Sequence, residues 1–339
     1  MSRRALLVCL LLGLGTLCAL WLAAGLGSRD GALVFDPRWP GRIFAGAHTP
    51  DDNILLELRL PRVIAALLVG SALAVAGLVL QGVTQNALAD PYLLGIAGGA
   101  GLAVVLTHAL PTSILAELGW WITPAAAFAG AQAASLLVLA LARGAAGRRT
   151  ALATVLAGLI INAFCAALMT LVLVRLDPFR TRITTLWLAG GIEFCTWPHL
   201  ALAMLLLLPS LLFLRAQAHR LNAFALGEVG AAYVGVDAER LLGRVALVAS
   251  LLTGLAVSMG GLLGFVGLIV PHVVRLLVGR DFRDTLPAAG VAGALLLLLC
   301  DSGARLLFLP EETPVGVLTA LLGCPLLLGL LRAQLRRPT

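Results

Sequence analysis

Charge is rationed along this chain in a way that leaves few choices of fold. Residues 5–27, 63–89, 91–116, 118–142, 150–174 and 245–274 contain no Asp, Glu, Lys or Arg at all. A helix needs about 20 apolar residues to cross the hydrocarbon of a bilayer. Inside lipid the backbone must satisfy its own hydrogen bonds, which these runs can do only as helices. A shorter element at 183–192 precedes another run at 194–214, and 285–300 and 313–331 complete the set. The run at 245–274 is too long for one span. Gly260, Gly261, Gly264 and Gly267, with Pro271, predict a break into a full helix and a shorter one ending near Gly279. The expectation is an all-α polytopic membrane protein of about ten spans, forming one transmembrane domain over 1–339.

Composition agrees: 60% of residues are hydrophobic and 12% charged. All 24 basic residues are arginine. Without lysine there is no Walker A loop and no Schiff-base chemistry, so energy must come from another chain or an ion gradient. The net charge of +7 reads as topology, not nucleic-acid binding, because the arginines lie between apolar runs. With the first residue cytoplasmic, 15 of the 24 arginines fall inside, and five of the other nine belong to 28–62. Both termini are therefore expected in the cytoplasm. Under that topology spans two to five and seven to ten run in opposite directions, which permits an inverted repeat. Arg3 and Arg4 followed by the run 5–27 read as a retained first span, not a cleaved signal. Six cysteines without CxxC spacing read as small buried hydrophobes.

Four polar interruptions stand out. The longest, 215–244, carries two short helical patterns, 221–226 and 228–234, separated by Gly227 and stopped by Gly235. It reads equally as a docking surface or as a connector lying on lipid. Arg59 and Arg62, with Pro61 in a first helical turn, and the later Arg305, oppose the positive-inside trend. They are either headgroup-snorkelling side chains or a socket for carboxylates of an external partner. Residues 81–95 put Gln81, Gln85, Asn86 and Asp90 at the inner end of span two. Asp90 is placed to cap the next helix, while the amides suggest a water-filled cavity or protein contact. His272, after Pro271 in the glycine-rich stretch 258–272, has no second ligand at metal spacing and reads as a structural hydrogen-bonder at a helix start.

In order along the chain come RLPR at 59–62, QGxxxNxLADPxLLG at 81–95, WLAGG at 187–191, ALGEVGAAYVG at 225–235, and two long C-terminal stretches, 264–283 and 313–331. Together they resemble the FecCD-type permease family, the membrane subunits of type II ABC importers for iron–siderophore, haem and cobalamin. Two departures are visible: Gln85-Asn86-Ala87 replaces the family's usual Arg-Asn-Pro, and Gly191-Ile192-Glu193 replaces a serine-containing turn. The resemblance implies an inverted-repeat permease in a bacterial inner membrane that is not itself an enzyme. It implies a homodimer with two ATPase subunits, which would hold the ATP and magnesium; no cofactor is expected on this chain. A periplasmic substrate-binding protein would dock through Arg59, Arg62 and Arg305. The ATPases would grip Ala225, Leu226, Gly227, Glu228, Ala231, Ala232 and Gly235. The pathway would follow span five along the subunit interface and narrow near Asn86 and Leu88.

Asn162, midway along span five, is a candidate pathway amide; a helix–helix hydrogen bond is the alternative role. A secondary transporter would want buried mid-span acids, whereas Asp90, Glu193 and Asp301 fall near span ends. An intramembrane enzyme would need HExxH, GxSxG or a pair of intramembrane aspartates, none of which occurs. Ferric siderophore is the first expectation for cargo, with haem and cobalamin open.

Overall fold

The computed structural model describes residues 1–29, 32–44, 50–142, 151–192, 195–225, 227–307 and 312–335. Leu226, Glu193, several loop arginines of the topology argument and the side chain of Glu228 lie outside the described residues. The apolar run at the start forms α1 (Arg3–Gly25), followed by a hairpin of β1 (Leu26–Arg29) and β2 (Ala32–Phe35) with Leu26 opposite Phe35. Two short helices, α2 (Trp39–Phe44) and α3 (Pro50–Ile54), lead through a π-helical turn (Leu55–Arg59) into α4 (Leu60–Thr84). A 3-10 turn (Pro91–Leu94) opens onto α5 (Ile96–His108), α6 (Thr112–Leu118), α7 (Ile122–Leu141) and α8 (Ala151–Leu173). Next come α9 (Pro178–Ala189), α10 (Trp197–Ala216) and the short pair α11 (Ala218–Phe224) and α12 (Gly227–Tyr233). The chain closes with α13 (Ala238–Gly260), α14 (Val266–Val278), α15 (Phe282–Leu306) and α16 (Val315–Leu335).

Seven of these helices are long and apolar enough to cross a membrane, or eight when the bent pair α5–α6 counts as one span. Against the expected ten, the differences have local causes. The run 91–116 is not one rod, because α5 ends at His108, Pro111 follows, and α6 leaves at 114° to α5. α14 and the Val315–Gly329 part of α16 are apolar but shorter. The glycine break falls where the sequence puts it, between α13 and α14. α4 starts earlier and stops earlier than the run 63–89, because Gln85 adopts a left-handed φ of 50° and ends the helix.

α4 is the central pillar, buried along most of its length, and α15, α13 and α14 pack around it. At its crossing with α15, Gly70 faces Gly293, and a Cβ on either glycine would collide with the other's carbonyl. Small residues let two backbones meet where lipid supplies no hydrophobic drive between helices. α1 and α8 are the opposite case, with little of either helix buried within the chain. The Ser2 N–H groups with Asp284 near the start of α15, at the same end of the bundle as α11 and α12. All six cysteines are free, and the described residues contain no metal-holding cluster.

Candidate docking, gating and coupling sites

One end of the bundle carries an arginine cluster. Arg62, in the first turn of α4, donates from Nε to Asp301 Oδ1 at 3.0 Å and from Nη1 to Glu312 Oε2 at 2.7 Å. Asp301 on α15 is fully buried (0% exposed), and its Oδ2 has no hydrogen-bond partner among the described residues. Four residues further on, Arg305 turns back and donates to the carbonyls of Ala23 and Leu26 at the end of α1. Arg59, half-buried at the end of the π-helical turn, makes no ion pair among the described residues. The structure thus gathers Arg59, Arg62 and Arg305, which the sequence singled out, at one end. It also ties two of them to partners that the sequence reading did not assign.

At the opposite end Gln81 and Gln85, of the amides in 81–95, find partners on neighbouring helices. Gln81 is buried; its Nε2 donates to Gly267 O at 3.2 Å and its Oε1 accepts from Arg275 Nη1 at 2.6 Å, which locks α4 to α14. Gln85 Nε2 donates to Phe224 O at 2.9 Å, joining the end of α4 to α11. Asn86 stays in its own turn, where its Oδ1 accepts the Leu88 N–H at 2.9 Å, and both residues are exposed. Asp90 caps the 3-10 turn by accepting the Tyr92 N–H at 2.8 Å. Burial raises its carboxyl to about 6 against the opposing pull of that N–H. His272 lies inside α14 and not at a helix start, and its imidazole makes no hydrogen bond among the described residues.

The stretch 215–244 folds as two short helices, as its pattern predicts. Leu221 and Phe224 bury one face of α11 in the core. Asn222 fixes the rest: its Nδ2 donates to Asp281 Oδ1 at 2.7 Å and its Oδ1 accepts the Phe282 N–H at 2.9 Å. Burial pushes the Asp281 carboxyl up. The Asn222 and Arg283 N–H bonds and the charges of Arg283 and Arg215 outweigh that and hold it below the usual carboxylate range.

Gly227 opens α12 at φ +91°, a conformation that L side chains rarely adopt. Of the residues picked from sequence, Ala225, Ala232 and Gly235 are exposed and Gly227 is half-buried, whereas Ala231 is turned fully into the core. The sequence reading missed Tyr233 (88% exposed) and Val234, the most exposed large apolar side chains among the described residues of the segment. The available signal was Tyr233, one of only two tyrosines in the chain, set beside Val234 between the small residues 230–232 and Gly235.

Asn162 joins three elements. Its Oδ1 accepts the Gly98 N–H of α5 at 2.9 Å, and its Nδ2 donates to Tyr92 O at 2.9 Å. The rest of α8 presents Leu152, Leu156, Leu159, Ile160, Phe164 and Leu171 outward.

A bundle of apolar spans with two short helices docked at one end and an arginine cluster at the other has the form of a transporter permease. The model of the FecCD transport family matches residues 6–333, and the chain belongs to that family. It is 41% identical over 282 residues to the hemin transport system permease protein HmuU of Yersinia pestis, covering 83% of this chain and 84% of that one. It is 38% identical over 329 residues to the probable siderophore transport system permease protein YfhA of Bacillus subtilis, covering 95% and 92%. The vitamin B12 import system permease protein BtuC of Vibrio parahaemolyticus is 38% identical over 285 residues, covering 83% of each chain. Among solved structures, a metal-chelate type ABC transporter in an inward-facing conformation aligns with a TM-score of 0.81 and 27% identity, covering 97% of this chain and 99% of that one. The chain is a multi-pass permease of the metal-chelate ABC importer type.

Proposed function

We propose that the chain is the permease half of a homodimer in a bacterial inner membrane, with about ten spans in an inverted repeat and both termini cytoplasmic. Two ATPase subunits, carrying ATP and magnesium, work from the cytoplasmic side, and a periplasmic binding protein delivers a metal chelate to the other. The observation that carries this reading is the α11–α12 pair. Leu221, Phe224 and Asn222 anchor it to the bundle, while Tyr233 and Val234 project from a chain that has no lysine for nucleotide binding.

ATP-driven movement of the ATPases would shift this pair. Gln85 would pass the shift to the turn holding Asn86 and Leu88, where the pathway narrows. The pathway runs along the subunit interface. The outward apolar face of α8 supports that placement, since so little of it is covered within one chain. Few charges face that route, which suits a large chelate that is passed through and not gripped. A ferric siderophore is the first candidate cargo, with haem and cobalamin tested beside it.

The test is uptake into proteoliposomes holding this chain and its ATPase, with binding protein and each chelate supplied outside. ATP-dependent accumulation of one chelate is expected. Uptake driven by a proton or sodium gradient without the ATPase would overturn the proposal.

A further inference from the structure

The arginine cluster is half occupied from within. Arg62 meets two carboxylates of unlike kind. Asp301 is fully buried on the rigid α15 and takes the Nε–H, whereas the Glu312 side chain is 44% exposed, just before α16, and takes Nη1 at 2.7 Å. Guanidinium binds an incoming carboxylate best as a fork, through two parallel N–H groups. With Nε spent on Asp301, the fork left to an outside partner is the Nη1–Nη2 edge, and Glu312 already sits on Nη1.

We infer that Glu312 is an internal stand-in for the docking partner's carboxylate, and that a partner engages Arg62 by displacing it. The inference rests on the proposal that this end of the bundle receives an acidic binding-protein surface. Asp301 cannot be the exchanging group. Freeing it would leave a fully buried carboxylate without its cation, which a buried site does not tolerate. Glu312 can, because its own carboxylate is 44% exposed and regains water on release, although Arg62 is only 14% exposed, so the range for solvent-accessible pairs, about 0.2–1 kcal/mol, is the fitting scale. Asp301 therefore holds and aims Arg62, and Glu312 covers it until exchange. That same range sets the size of the effect: removing the competitor should tighten docking by roughly 1.4- to 5-fold.

Two measurements separate this inference from the reading beneath it. The first needs no partner. The intact transporter complex in nanodiscs is treated with p-hydroxyphenylglyoxal, an arginine reagent, and modification is followed by mass spectrometry. Glu312→Gln is expected to speed modification of Arg62 several-fold and leave Arg59 unchanged; equal Arg62 rates would overturn the cover. The second is binding of the immobilised substrate-binding protein that supports uptake. Glu312→Gln should bind it a few-fold more tightly, and Glu312→Asp, which keeps the charge on a shorter arm, should fall between. Unchanged or weaker binding by Glu312→Gln, with Arg59→Gln still weakening it, would overturn the exchange and leave the docking site standing. Binding indifferent to Arg59→Gln, to Glu312→Gln and to salt would instead remove the docking site itself.

Discussion

Replacing Asn162 by leucine distinguishes a pathway amide from a structural one. The two side chains share a branched four-atom skeleton, so both hydrogen bonds are lost without a cavity being opened, and the bulkier leucine methyls can only add to the cost. Gly98 is buried in the first turn of α5, where helix N–H groups lack intrahelical acceptors; its N–H is satisfied by Asn162 Oδ1. Left unpaired, a buried donor costs about 1–3 kcal/mol. The second loss is smaller. Tyr92 O keeps the Gly95 N–H at 3.2 Å, so the Nδ2 bond should contribute nearer the ~0.6 kcal/mol average of interhelical bonds in membranes. Asn162→Leu should therefore destabilise the protein by roughly 1.5–3.5 kcal/mol. The assay is the half-life of monodisperse protein in detergent at raised temperature, since membrane proteins of this size unfold irreversibly. A marked shortening is expected. A half-life within error of the parent, together with changed chelate uptake, would refute the structural assignment and return Asn162 to the pathway.

Gly293→Val should put a branched side chain into the Gly70 backbone and cost at least about 1–3 kcal/mol, read as loss of monodisperse protein in size-exclusion chromatography. Asp90 gives a pH signature. Its carboxyl is raised from 3.8 to about 6 on folding, so the folded state holds the proton more tightly. Stability is then highest below pH 4, falls as pH rises through 4–6, and is flat above that. Asp90→Asn keeps an oxygen for the Tyr92 N–H and should abolish this slope. Above pH 7 it should gain on the order of 1–3 kcal/mol in thermal inactivation assays.

Much of the architecture was legible because it depends on local chemistry. Runs without charge became helices, the glycines at 260–267 broke α13 from α14, and Gly227 and Gly235 bounded α12. The bend after α5 was less visible, since Pro111 sits in a run that remains apolar on both sides. What sequence could not give was pairing at a distance. Arg62 finds Asp301 and Glu312 across 239 and 250 residues, and Gln81 finds Gly267 and Arg275 across 186 and 194. An isolated amide at the end of a span looks the same whether it faces water or a neighbour's carbonyl. Only packing decides, and here it favoured the carbonyl for both Gln81 and Gln85. Ala231 shows the same limit on the α11–α12 pair: its small size matched a docking surface, yet the helix turns it into the core and leaves Tyr233 outward.

The account stands most directly on whether the α11–α12 pair holds the ATPase. Capture of the ATPase by tagged permease from solubilised membranes measures this, with Gly227→Trp and Tyr233→Ala as variants. Tyr233 is 88% exposed, so its truncation should leave folding untouched while weakening capture by tenfold or more, as loss of an aromatic anchor does. Both variants are expected in the membrane at parental levels with the ATPase lost or depleted. Full capture by both, with normal ATP-driven uptake, would contradict the claim that ATP hydrolysis enters the permease through this segment.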